Sequence, residues 1–171
     1  VSLEPSSGAS LRVQLLTDPP GRRGSVLVLG PNLQRHAYTS SEALFDELRP
    51  GPYEVVFFVE GYGAGYERVS VSGSGETTAE VEARRGGTLI VPVEGADAAR
   101  PAVVDGQGVD WSRLLARMSF PGQEIVQLEE RPNVGPAWVF PGLPPGTYQV
   151  VIDGEERQPV PLQAGGVATA W

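Results

Sequence analysis

Residues 45–57 read FDELRPGPYEVVF, and residues 140–152 read FPGLPPGTYQVVI. Phe45, Leu48, Pro50, Gly51, Tyr53, Val55 and Val56 return as Phe140, Leu143, Pro145, Gly146, Tyr148, Val150 and Val151, at a constant offset of 95. Seven identities in twelve positions, with Pro, Gly and Tyr among them, mark an internal repeat. The phrase has a mechanical reading. An inward Phe ends one strand and Leu pins the corner. Pro fixes φ ahead of a Gly that tolerates a tight turn, and Tyr begins the return strand with its hydroxyl free to reach the turn backbone.

Working outward, Leu11, Val13 and Leu15 alternate as Leu89, Val91 and Val93 do, and Val69-Ser70-Val71 resembles Val160-Pro161-Leu162. Two copies are therefore expected, residues 1–85 and 86–171, joined at Arg84-Arg85-Gly86-Gly87. From Leu11 to Phe45 is 34 positions and from Leu89 to Phe140 is 51, so the second copy carries 17 extra residues, placed between Asp105 and Gly135. Long loops in compact domains tend to serve a function or to be disordered.

LRVQL and TLIVPV alternate as half-buried strands do, whereas SVLVL and AVV are short apolar runs bounded by Gly and Pro, and YEVVFFV and YQVVI follow a Pro-Gly turn. The 22 Gly and 16 Pro together exceed a fifth of the 171 residues, as suits short strands and turns. The expected class is all-β, two tandem Ig-like or transthyretin-like β-sandwiches. Thr39-Ser40-Ser41-Glu42 could cap a helix, but the matching AWVFPGL holds a Pro-Gly pair that would break one, so residues 42–48 read as strand. Residues 111–118, WSRLLARM behind Asp110, stay open between strand and helix.

The net charge is −8 and all 13 basic residues are Arg. An acidic surface makes nucleic acid and anionic lipid poor partners. Without Lys there is no Schiff-base chemistry, no P-loop clamp and no Lys–Asn crosslink. Without Cys there is no disulfide, thiol nucleophile or thiolate metal site. No apolar run approaches a membrane span, and no leader opens the sequence, as expected of a mature chain or an excised piece. Trp171 closes the alternating stretch VATAW, so the chain is expected to be a piece of an assembly.

L-x-P-G-x-Y-x-V-V, followed by Gly61-Tyr62 and a V-x-V strand, resembles the carboxypeptidase regulatory-like domain, a transthyretin-related sandwich often repeated in bacterial surface and secreted proteins. Leu48, Pro50, Gly51, Tyr53, Gly61, Tyr62, Val69 and Val71 carry it in the first copy. Leu143, Pro145, Gly146, Tyr148, Val160 and Leu162 carry it in the second. The corner is shared with collagen-adhesin B-type repeats, whose Lys–Asn crosslink this chain cannot form. The second copy departs by its insertion and by Gly154-Glu155-Glu156, which replaces the longer GYGAGYE region. The resemblance implies a fold whose members are mostly non-catalytic spacers, folding aids or adhesion modules, outside the cytoplasm.

His36 is the only histidine, with no G-x-S-x-G elbow to accompany it, and is read as structural. The pairs Asp46-Glu47, Glu129-Glu130 and Glu155-Glu156 face opposite ways on a strand and make poor acid–base couples. GYGAGY and GSGET precede no helix and read as turns. Asp105 and Asp110 in DGQGVD are weak calcium candidates, because the spacing misses the Ca²⁺-loop pattern and a plain turn explains it. No catalytic residue and no cofactor are expected. Tyr62, Tyr66, Trp111 and Phe120 are the contact candidates for a protein or a glycan. The expected role is a spacer or interaction module, with carbohydrate binding and strand-addition assembly as the alternatives.

Overall fold

The computed structural model describes residues 8–95, 97–119 and 124–171. They form two compact units. One takes the chain up to Val59 with Gly65–Ala83, and the other takes Glu60–Ala64 with Arg84–Trp171.

The first unit runs β1 (Ala9–Thr17), β2 (Gly24–Gly30), β3 (Leu33–Thr39), β4 (Glu42–Leu48), β5 (Gly51–Val59), β6 (Gly63–Val71) and β7 (Glu76–Ala83). These make two sheets, β4-β1-β7 and β3-β2-β5-β6. Strand β1 is antiparallel to β4 and parallel to β7. Its alternation is literal, with Leu11, Val13 and Leu15 buried while Arg12 and Gln14 face outward. The apolar runs behave differently, since Val26 to Leu29 and Val55 to Val59 are buried on both faces.

The second unit runs β8 (Gly87–Pro92), β9 (Ala102–Asp105), α1 (Trp111–Met118), β10 (Gln127–Arg131), β11 (Gly135–Leu143), β12 (Gly146–Ile152), β13 (Glu155–Glu156), β14 (Val160–Leu162) and β15 (Val167–Thr169). Its sheets are β10-β11-β8-β15 and β13-β12-β14, with β9 also paired to β12. Strand β8 repeats the pattern of β1, antiparallel to β11 and parallel to β15.

Register makes the equivalence residue by residue. Phe45 pairs Leu11 and Leu48 pairs Ala9, with a register shift between them; Phe140 pairs Leu89 and Leu143 pairs Gly87, with the same shift. The residue inside each shift is left-handed, Glu47 at φ 57° and Gly142 at φ 70°, again 95 apart. A glycine faces each one. A Cβ on Gly8 would lie 2.8 Å from the Glu47 Cα, and one on Gly86 would lie 2.4 Å from the Gly142 carbonyl carbon. Each bulge therefore needs a bare backbone opposite it.

The corner closes identically in both units. The Tyr53 hydroxyl donates to the Arg49 carbonyl at 2.8 Å, and the Tyr148 hydroxyl donates to the Pro144 carbonyl. Both rings are buried. The phenol thus satisfies a turn carbonyl four residues upstream, the tyrosine-corner device of Ig-like sandwiches.

The units part company after β9. Tyr148 pairs Asp105, whereas Leu29 pairs Glu54, so the next position, Gly30, stands opposite Tyr53. Asp105 and Gly30 therefore correspond. From there to the corner Phe is 35 positions in the second unit and 15 in the first. The hairpin strand β3 is replaced by a turn, α1 and the edge strand β10. Residues 111–118 are helical because Asp110 caps them, accepting from the Arg113 amide at 3.1 Å, and because Trp111, Leu114, Leu115 and Met118 form one buried stripe. Residues 42–48 are strand, as the echo with residues 137–143 required.

Candidate interaction surface

Of the residues singled out from sequence, Trp111, Asp105 and Asp110 serve the fold. Trp111, expected as an exposed contact, is 2% exposed and lies in the core. Its indole Nε1 donates to Asp105 Oδ2 at 2.9 Å. Asp105 Oδ1 accepts from the backbone amides of Gln107 at 2.8 Å and Val109 at 3.0 Å. Both carboxylate oxygens are thus aimed at N–H hydrogens, the reverse of a cation site. Asp110 Oδ1 accepts from the Ser112 hydroxyl at 2.6 Å as well as from Arg113. These carboxylates fasten the turn and start the helix, the turn role weighed beside the weak calcium one. Among the described residues no group of three or more His, Asp or Glu converges to hold a metal ion.

Tyr66 is half-buried and its hydroxyl is committed, donating to Glu54 Oε1 at 3.0 Å and accepting from Arg68 Nε at 2.7 Å. Burial raises its pKa above the ordinary phenol value, with the Arg68 bond opposing. Tyr62 is half-buried and its carbonyl accepts from the Gly86 amide at 2.7 Å. Phe120 lies outside the described residues. His36 bonds Gln34 through Nε2 at 2.9 Å, and partial burial lowers its pKa. The sequence reading brought none of these together into one site.

The surface that stands out emerges when the units are compared strand by strand. On the outward face of the β4-β1-β7 sheet, Arg12 Nη1 reaches Glu42 at 2.9 Å and Arg12 Nε reaches Glu76 at 2.8 Å. These bonds raise the Arg12 pKa and lower that of Glu76. Gln14, Thr78 and Glu80 share this face; Gln14 pairs Glu80 and Glu42, and Thr78 pairs Arg12. It is mostly polar, with the exposed Leu44 and Leu16 also on it.

The register carries each of these positions onto the second unit. Arg12 and Gln14 become Ile90 and Pro92, Glu42 and Leu44 become Ala137 and Val139, and Glu76 and Thr78 become Val167 and Thr169. Strand alternation places Trp171 where Glu80 stands. Every charge in the first set is lost. Val167 is 69% exposed and Trp171 is 68% exposed, beside the half-buried Ile90 and Pro92. Ala137 and Val139 are buried, so the exposed apolar part of this face is Val167 and Trp171 on the β15 side, unusual for a chain of net charge −8. The sequence signal was present in VATAW against ETTAE, but it needed the register to align those segments.

The open edges of this sheet are β15, beside the exposed Val167 and Trp171, and β10. Thr88 donates to the Gly166 carbonyl and Ile90 accepts from the Ala170 amide, so even-numbered β8 residues face β15. Pro92 is next in that series and has no N–H to offer. At the sheet's other edge β10 carries Glu129, Glu130 and Arg131. Charge on an edge strand is a device that discourages strand addition.

No protein-family profile matches the chain, and no curated protein matches it. Among solved structures it is similar to the Bacillus anthracis TIE protein, at 19% identity and TM-score 0.40, over 95% of this chain and 33% of that one. It is also similar to a leucine-rich repeat protein from Bacteroides thetaiotaomicron, at 10% identity and TM-score 0.37, over 96% of this chain and 26% of that one. A Streptococcal ancillary pilin matches at 13% identity and TM-score 0.31, over 97% of this chain and 63% of that one. The chain thus spans about a third of the first of these proteins and about a quarter of the second. Among the described residues no helix is long and apolar enough to cross a membrane.

Proposed function

We propose that the chain is a non-enzymatic interaction module of an extracytoplasmic bacterial protein, two tandem sandwiches of the carboxypeptidase regulatory-like kind. The first copy serves as a spacer, and the second presents a contact face to a protein partner. The observation that carries this reading is the exchange of Arg12, Glu42, Glu76 and Glu80 for Ile90, Ala137, Val167 and Trp171 on the same strands and the same face. A spacer needs only the charged version, which keeps copies apart in solution. Val167 and Trp171, left exposed and apolar where the first copy has Glu76 and Glu80, favour a partner that covers them.

Carbohydrate binding through Tyr66 and Trp111 requires exposed rings. Trp111 is in the core and the Tyr66 hydroxyl is engaged by Glu54 and Arg68, so those rings do not support it.

The reading is tested by capture from the envelope fraction, comparing the wild-type chain with the double variant Ile90→Arg/Val167→Glu, which writes the first copy's charges onto the second. The expected result is loss of a captured partner with unchanged circular dichroism. Equal capture by both proteins would overturn the assignment of the face.

A further inference from the structure

The first and last strands of the first unit lie side by side and run parallel, with eight register pairs from Ser10–Glu76 to Thr17–Ala83. In a parallel pair the start of one strand and the finish of the other lie at opposite ends of the ladder. A pull on the chain before β1 and after β7 therefore acts along the strands and loads the hydrogen bonds together, in shear. The second unit has the same arrangement, β8 parallel to β15, but only three register pairs, from Val167–Thr88 to Thr169–Ile90. Beyond them the Ala170 amide bonds the Ile90 carbonyl, and Pro92 then interrupts the series. At the equivalent place in the first unit stands Gln14, which has the amide, and the ladder continues.

We propose that the chain bears tension, with the first unit as a strong shear clamp and the second as a weaker one that yields first. This rests on the spacer role assigned above, and it adds what that role withstands. Parallel ladder bonds are evenly spaced, so a ladder with more pairs shares the load over more bonds. The second unit would open first and release length while the first unit keeps its fold.

Single-molecule pulling on the isolated chain, held by handles at its two ends, tests this without any partner. Partner capture and clamp strength are thus separate readouts, and either can fail alone. Residues 88–169 opening at about 3.5 Å per residue, less the folded ladder, lengthen the chain by about 280 Å. Residues 10–83 give about 230 Å by the same reckoning. The expected trace shows the 280 Å step at the lower force and the 230 Å step at the higher. The reverse order, or both steps at one force, overturns the proposal.

Two further arms remove the dependence on step order. Gln14→Pro, which imports the second unit's interruption, should lower the force of the 230 Å step and leave the other unchanged. Should that variant lose its first-unit step altogether, a change of handle decides. Ser74→Cys places an attachment beside the start of β7, and the chain has no other cysteine. Pulling from there against the N-terminal end peels the β1–β7 ladder one bond at a time. The first unit should then open at a clearly lower force than under end-to-end load, and an unchanged force would refute the clamp.

Discussion

Replacing Tyr148 by Phe removes one oxygen from the corner of the second unit and nothing else. The ring is 1% exposed, and its hydroxyl is the side-chain donor to the Pro144 carbonyl. Phe keeps the packed area but leaves that carbonyl without its partner. Such a loss costs about 1–2 kcal/mol, between the net worth of a hydrogen bond and the full penalty of an orphaned acceptor. For a unit of this size that lowers the melting temperature by about 4–8 °C per kcal/mol. Tyr53→Phe should cost a similar amount in the first unit, because its bond to the Arg49 carbonyl is the same bond 95 residues earlier. Hydrogen exchange followed by mass spectrometry under rising urea reads the units separately, with protection falling in β11 and β12 for one variant and in β4 and β5 for the other. Alkaline titration gives a second readout. Burial, aided by the Asp105 charge, holds the Tyr148 phenol well above its ordinary value. The folded state therefore keeps a proton that the unfolded state releases from about pH 10 upward. Stability from this source is present below pH 10 and declines above it, and Tyr148→Phe should flatten that decline. A loss under about 0.3 kcal/mol in both variants, with unchanged alkaline behaviour, would refute the corner as a stabilising device.

Other substitutions probe the remaining parts. Glu47→Gly should stabilise the first unit by about 0.5–1 kcal/mol in urea unfolding, since it relieves a left-handed non-glycine residue. Asp105→Asn turns an amide group toward the Trp111 indole or the two loop amides, and should cost about 1–3 kcal/mol with faster exchange across α1. Glu76, paired to Arg12, should titrate below a free glutamate in a proton-carbon NMR titration. Its stabilising contribution is present above the unfolded value and fades as pH falls through the folded one, and Arg12→Gln should abolish the shift.

The corner, its repetition and the strand at residues 42–48 were legible because they rest on local chemistry. Pro and Gly set a turn, Tyr closes it, and a Pro-Gly pair in one copy argues against helix in the other. Counting from Leu11 and Leu89 put 17 extra residues in the second copy, whereas from the register of Asp105 with Gly30 the difference is 20. The content of the insertion was not legible. Trp111 was offered as a contact because nothing local says that Asp105, six residues earlier, holds the indole and that the helix turns it inward. The same carboxylates looked like weak calcium ligands until their oxygens were seen to face amides. The left-handed bulge was hidden at Glu47, whose side chain has no preference for it, but its echo is the glycine at 142. The apolar face was invisible for a longer-range reason, since it depends on which residues of β8, β11 and β15 lie abreast.

Position 167 against position 76 gives the most direct test of whether function lies where the copies differ. A photo-reactive phenylalanine analogue is placed at one or the other, and the chain is irradiated in living host cells. The account predicts a discrete protein adduct from position 167 and none from position 76. Adducts from position 76 alone, or equal adducts from both, would contradict it.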